Sequence, residues 1–177
     1  MRASSLLQAV LPALLAGRAI ASGTTIVSAL NTVDSKTEAL DSTVKSWSGD
    51  ILGSFPILTK SASLLLAIHK GKDAAEDSDA LTSDEALGIA SAVTTLATSV
   101  NSTMTTIIAA HEKFEHLLLA PVVLLDLKAQ KAASDDMSNA IVAKVPAALQ
   151  GIAQNLVAPI DASFNLAIDA YSISNGI

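Results

Sequence analysis

The sequence predicts an all-α fold, an antiparallel bundle of about five helices. In several long segments apolar residues recur every three or four positions, which is the pattern of one helix face. Short connections marked by Gly, Pro, Ser and Asp separate these segments, and short connections make successive helices run in opposite directions. Half of the residues are hydrophobic but only 3% are aromatic, so the core is expected to consist of closely packed aliphatic side chains.

The first 21 residues are predicted to be a secretory signal peptide. Arg2 supplies the positive start, residues 6–16 form the apolar core, and Ala19-Ile20-Ala21 fits a cleavage site between small residues. We therefore expect an extracellular protein, either released or associated with the cell wall, whose single domain is residues 22–177. The C-terminus lacks the tail of a lipid-anchor signal. No later apolar run approaches the roughly 20 residues of a membrane span, so no transmembrane anchor is expected.

Charge and cysteine content restrict the possible partners. Acidic residues outnumber basic ones, 17 against 11, and two of the basic residues, Arg2 and Arg18, lie in the predicted signal peptide. This balance argues against nucleic acid as a partner.

Cysteine is absent, although small secreted domains usually depend on disulfides. Helix packing alone is therefore expected to hold the domain together.

The first two helices are predicted from their seams and turns. Helix one is expected over residues 25–48, with a turn at Gly49 after it. Helix two is expected over residues 55–70, because Gly53 and Pro56 disturb its entry and Gly71 caps its end. The seam of helix one consists of Ile26, Leu30, Val33, Thr37, Leu40, Val44, Trp47 and Ile51.

The central helix is predicted to begin after Thr82, which forms a capping box with Glu85, and to continue to about Phe114. Residues 117–125 are then apolar at every position, interrupted only by Pro121. Proline is tolerated in the first turn of a helix, so Pro121 is expected to open the fourth helix, which ends near Lys144. A fifth helix follows Pro146 and is expected to kink at Pro159.

Two runs, residues 64–68 and 117–125, carry more apolar surface than a bundle seam consumes. Neighbouring helices could bury it, or it could form a lipid cavity or an adhesive face. We predict an elongated space between helices that can take an acyl chain, since bundles commonly hold ligands there. The predicted lipid- or surface-binding residues are Leu65, Ile68, Ile107, Ile108, Phe114, Leu118, Val122 and Leu125.

The sequence carries no convincing catalytic or metal motif, so neither an enzyme nor a cofactor is predicted. His111 and His116 flank an apparent zinc-protease motif, but five residues at about 100° each place the two imidazoles on different faces. His111 is expected to pair with Glu115 one turn away. A Ser42-x-x-Lys45 pattern matches penicillin-interacting enzymes by chance, since its companion motifs are missing. Asn101 begins the single glycosylation sequon.

The spacing of the apolar residues resembles fungal hydrophobic surface binding protein A and the related cell-wall galactomannoproteins. The resemblance rests on Ile68-x-x-Gly71, Leu81-x-x-x-Glu85-Ala86-Leu87, Val93-x-x-Leu96, Val122-Val123-Leu124-x-x-Leu127 and Ala140-Ile141-x-x-Lys144-Val145-Pro146. It implies a secreted, non-enzymatic helical protein that binds hydrophobic surfaces, in some members recruiting a secreted polyester hydrolase. Other members hold fatty acids between helices, and a structural wall mannoprotein antigen is a further alternative. The chain lacks the Ser/Thr-rich stalk of longer members.

Overall fold

The computed structural model describes residues 11–173, with side chains described from 22 to 172. Within these residues the chain forms six α-helices, one 3-10 turn and no strand. The helices are α1 (Leu11–Ser46), α2 (Ile51–Glu76), α3 (Ser83–Ala109), α4 (His111–His116), α5 (Ala120–Lys144) and α6 (Gln150–Ile173), and the 3-10 turn is Ala147–Leu149. The predicted all-α bundle is thus confirmed, with five long helices and one short one.

The five long helices form a closed ring in the order α1, α2, α5, α6, α3. Helices α1 and α3 run in the same direction, because Gly23 contacts Glu85 and Lys45 contacts Ser102. The pairs α2/α5 and α3/α6 are parallel in the same way. Helices that follow one another along the chain alternate in direction, as predicted. Spatial neighbours across the ring are often parallel, and the apolar faces of all five meet in one core.

Helix α1 buries the predicted seam but begins earlier than predicted. Residues Ile26 to Trp47 of the seam are buried, whereas Ile51 is half exposed. The backbone is helical from Leu11 rather than from residue 25, which fits the many Ala and Leu residues in that stretch, since both are strong helix formers. Residues 1–10 of the predicted signal peptide lie outside the described residues, so its cleavage stays a prediction.

Helix α2 is longer at both ends than the predicted 55–70. Asp50 caps its start, because its Oδ1 accepts the Gly53 N–H at 2.8 Å, and this cap outweighs Gly53 and Pro56. Gly71 does not end the helix. A Cβ atom at Gly71 would lie 2.7 Å from the Met137 sulfur, so this glycine allows α5 to approach α2 closely.

The start of α3 agrees with the sequence, whereas its end does not. Thr82 and Glu85 form the predicted capping box. The helix stops at Ala109 instead of Phe114, and the short α4 carries Phe114 into the core. Pro121 lies in the first turn of α5, as predicted. Pro159 lies inside α6, and the kink expected there stays a prediction.

Helix α4 ends in a Schellman motif. The Leu118 N–H donates to the Glu115 carbonyl and the Leu119 N–H to the Phe114 carbonyl, both at 2.8 Å. Leu118 has φ +59°, the left-handed conformation that this motif requires and that glycine normally supplies. A leucine here costs conformational energy, because its Cβ crowds the following carbonyl.

Helix α2 is long and apolar enough to cross a membrane, judged by length and composition alone. Core helices of bundles pass the same test, and α2 packs one face against α1 and α5. That face includes Ser54 and Ser61, both buried. The absence of a membrane anchor stays a prediction.

Candidate functional site

A small apolar cavity lies at the centre of the ring, and we call it the core cavity. Its volume is about 30 Å³ and all five long helices contribute to its wall. Two of its lining residues are Met104 and Met137, whose unbranched side chains adapt to irregular spaces. Its polar lining residues are Thr37, Ser134 and Ser138, and none of the described residues in its wall is charged. The volume suits about one water molecule, so a longer guest requires the helices to move apart.

A larger apolar groove, the side groove, opens between α3, α5 and α6. It measures about 110 Å³ and is lined by apolar residues throughout. Val93 and Ile141 line both the side groove and the core cavity. These two side chains are therefore the partition between an open groove and the closed centre of the bundle. The exposed side chains at the groove are Leu87 and Ile152.

A third space, the end cavity, lies beyond the core cavity, near the end of the bundle where α4 is located. It measures about 30 Å³ and is lined by Leu40, Ile57, Leu58, Ser61, Ile107, Phe114, Val123, Asp126 and Leu127. Along α3, Ala86 lies in the side groove, Val100 in the core cavity and Ile107 in the end cavity. At about 1.5 Å per residue, these three spaces follow the bundle axis for roughly 30 Å.

A polar cluster of Ser61, Asp126 and Gln130 joins α2 to α5 beside the end cavity. The Ser61 hydroxyl donates to Asp126 Oδ2. Gln130 Nε2 donates to Ser61 Oγ at 2.7 Å and to Asp126 Oδ2 at 2.8 Å. Burial raises the pKa of the Asp126 carboxyl, although the hydrogen bonds from Ser61 and Gln130 oppose this effect. Gln130 is 1% exposed, and its Oε1 atom has no partner among the described residues.

The outer surface at the same end is strongly apolar, and we call it the end patch. Because Ser61 contacts Asp126, the start of α2 lies beside the start of α5. Of the eleven large apolar side chains that are exposed among residues 22–172, seven lie within residues 51–58 and 118–125, so the surplus apolar surface is concentrated at one end. The end patch consists of Ile51, Leu52, Phe55, Leu58, Leu118, Val122 and Leu125.

The structure divides the eight predicted binding residues among different places. Ile68 lines the core cavity, and Ile107 and Phe114 line the end cavity. Leu65 and Ile108 are partly buried and pack against the core.

The other three, Leu118, Val122 and Leu125, line none of the three spaces. They lie in the end patch with 85%, 46% and 71% of their surface exposed. The eight predicted residues therefore do not line one shared space. Val122 and Leu125 lie on the exposed side of α5, whereas Val123 and Leu127 lie against the end cavity. The binding role of all eight stays a prediction.

Sequence reasoning missed the side groove and the polar cluster. Leu149, Ile152 and Leu156 follow one another at the three- and four-residue spacing of an ordinary helix seam, and this spacing does not show that they border an open groove. Asp126 follows the apolar run as one more polar residue. Its contact with Ser61 spans 65 positions in the chain, so no local pattern could show it.

The predicted His111–Glu115 pair lies on α4, and the glycosylation sequon that begins at Asn101 lies on α3. His111 Nδ1 lies 3.7 Å from a Glu115 carboxylate oxygen, which confirms this helical pair. Asn101 is exposed on α3 and its side-chain carbonyl accepts a hydrogen bond from Ser163 at 3.4 Å. Thr103, the third residue of the sequon, is fully buried. Among the described residues no group of three metal-ligating side chains comes together.

Comparisons with known sequences agree with this architecture. The model of a family described as hydrophobic surface binding protein A matches residues 23–143. Cell wall mannoprotein 1 of Aspergillus flavus is 35% identical over 154 residues, which cover 87% of this chain and 55% of that protein. Its namesake in Aspergillus fumigatus is 36% identical over 147 residues, covering 82% and 50%. The chain thus spans about half the length of the curated relatives it matches.

Solved structures share the fold. AFMP4P in complex with palmitic acid superposes with a TM-score of 0.81 at 22% identity, covering 84% of this chain and 99% of that one. Ligand binding domain 1 of the Penicillium marneffei MP1 protein, complexed with arachidonic acids, gives 0.80 at 17% identity, covering 85% and 98%. At these identities the likeness establishes the five-helix fold alone.

Proposed function

Because the chain belongs to the hydrophobic surface binding protein A family, we propose that it adsorbs to hydrophobic material outside the cell through the end patch. The single observation that carries this proposal is Leu118. It is 85% exposed and occupies a left-handed position that glycine would fill without strain. A side chain that adds strain and buries nothing within the protein gives no benefit to folding. Its benefit would come from contact with an apolar surface.

The proposal is tested by adsorption of the purified protein to polyester particles and alkylated beads. Replacing Leu118 and Leu125 with serine should lower the adsorption constant roughly 100-fold, because about 3 kcal/mol of apolar burial is lost. The matched control replaces Leu66 and Leu166, which are 56% and 63% exposed outside the end patch. Binding should persist in high salt, since apolar burial is not screened. A control variant that loses as much as the end-patch variant would refute the proposal.

A second candidate function, a fatty-acid or lipid carrier, is supported by the three spaces along the bundle axis. An acyl chain would enter the side groove, displace the Val93–Ile141 partition and extend into the core cavity. Each buried methylene contributes about 0.8 kcal/mol. Affinity should therefore rise with chain length and then level off when the path is full. Adsorption to an open patch would not level off in this way.

The family and the wall mannoprotein relatives support an extracellular or cell-wall location without enzymatic activity. A glycan on Asn101 belongs to this proposal and is tested by mass spectrometry of protein secreted by a fungal host.

Recruitment of a secreted hydrolase is the family's further implication. It predicts that a purified polyester hydrolase sediments with particles coated by the parent protein, and does so less with particles exposed to the end-patch variant.

A further inference from the structure

The hydrogen-bond donors of the polar cluster beside the end cavity are directed at other members of the cluster. The Ser61 hydroxyl has one hydrogen, which points to Asp126. The Gln130 amide nitrogen lies within hydrogen-bond distance of both Ser61 Oγ and Asp126 Oδ2. Toward the end cavity the cluster therefore presents the oxygen atoms of Ser61 and Asp126, which can accept hydrogen bonds. The Gln130 carbonyl oxygen is buried and unpaired among the described residues, but Gln130 is not one of the residues that line the end cavity.

This cluster forms the polar wall of an otherwise apolar space. Ser61 and Asp126 line the end cavity together with seven aliphatic or aromatic residues. Among the described residues, Asp126 is the one charged member of that lining, and none of them is a lysine or arginine that could pair with a ligand anion. The volume of about 30 Å³ suits a group of about the size of a water molecule.

From this arrangement we propose that the end cavity binds the hydroxyl end of a long-chain alcohol in preference to the carboxylate of a fatty acid. This inference rests on the lipid-carrier function proposed above and specifies its ligand class. A hydroxyl can donate a hydrogen bond to the Asp126 carboxylate, which lines the end cavity, while its alkyl chain contacts the apolar walls. A carboxylate supplies acceptors only and adds a second negative charge close to Asp126.

The burial of Asp126 also favours a neutral end group over a carboxylate. It raises the pKa of the Asp126 carboxyl, which means that the local environment disfavours negative charge. If the methyl end of a ligand occupied the end cavity, it would shield the Asp126 carboxylate from water without offering it a hydrogen bond. A hydroxyl is the end group that gives the Asp126 carboxylate a hydrogen-bond donor.

The test compares dodecanol, methyl dodecanoate and dodecanoate at neutral pH, each displacing bound phenylnaphthylamine from the purified protein. The three ligands share a chain and differ in charge and in donor capacity. Dodecanol should bind about tenfold more tightly than dodecanoate, and also more tightly than the ester, which is neutral but has no donor. If charge alone decided the preference, the alcohol and the ester would bind equally.

Two variants locate the effect. Asp126→Asn keeps the shape and removes the charge, so the gap between dodecanol and dodecanoate should shrink to about threefold or less. Asp169→Asn, on the exposed surface of α6, is the matched control and should leave the gap unchanged. If Asp126→Asn does not fold, Val123→Phe serves instead. It fills the end cavity without changing charge and should reduce dodecanol affinity to that of the ester.

Equal binding of dodecanol and dodecanoate to the parent would overturn the inference, as would a gap that Asp126→Asn leaves intact. If none of the three ligands displaces the probe, the lipid-carrier function fails and this inference fails with it. Adsorption to polyester, measured separately on the same protein, then decides whether the end-patch function stands.

Discussion

Replacing Leu118 with glycine should make the protein more stable and less adhesive. Leu118 has φ +59° at the end of α4, where a side chain costs about 1–2 kcal/mol. Glycine removes that cost but loses roughly 0.5–1 kcal/mol through its greater freedom in the unfolded chain. The expected net gain is about 0.5–1 kcal/mol. Hardly any packing is lost, because Leu118 is 85% exposed.

The same substitution should weaken adsorption to polyester. A leucine side chain contributes about 1.5–2.5 kcal/mol when its exposed part becomes buried, so adsorption should fall about 10- to 70-fold. Urea unfolding gives the stability change from the shift in midpoint at constant slope. Particle depletion gives the adsorption constant.

Leu118→Ala is the matched control for both measurements. Alanine removes the apolar side chain but keeps the Cβ atom, so adsorption should fall as far as in the glycine variant while stability stays within about 0.5 kcal/mol of the parent. The reasoning is refuted if Leu118→Gly proves less stable than Leu118→Ala. It is also refuted if either variant adsorbs as well as the parent.

Three further predictions concern stability. Gly71→Val should cost about 1–3 kcal/mol of stability, because its Cβ would lie 2.7 Å from the sulfur of Met137. Gly88→Ala should instead gain about 0.5–1 kcal/mol, because the space around this glycine is open. Thermal unfolding of the two variants checks both predictions. Thr82→Ala should cost about 1 kcal/mol of unfolding free energy by removing a helix cap, and an unchanged urea midpoint would contradict this. Burial raises the pKa of Asp126 in the folded state, so the folded protein binds this proton more tightly than the unfolded chain does. Stability from this group is therefore lost as pH rises from the ordinary aspartate pKa through the raised one. The advantage of Asp126→Asn over the parent should grow across that window and then stay constant, and an advantage that does not change with pH would show that the carboxyl is not perturbed.

The sequence by itself determined the features that depend on neighbours along the chain. The Thr82 capping box, the turn at Gly49, the position of Pro121 and the buried stripe of α1 involve residues within a few positions of each other. Their geometry is set by helical periodicity and local hydrogen bonds. The apolar surplus of residues 117–125 is likewise evident from the sequence, although the sequence does not show which of its side chains are exposed.

Only the tertiary structure decided which surfaces these local features meet. Gly71 was interpreted as a helix end and proved to be the point where α5 approaches α2. Leu118 was expected between helices and lies outside them, because the Schellman turn reverses the chain there. Asp126 accepts a hydrogen bond from Ser61, which is 65 positions away in the chain. Contacts of this kind depend on how the five helices close into a ring, and periodicity fixes the face of each helix but not its neighbour.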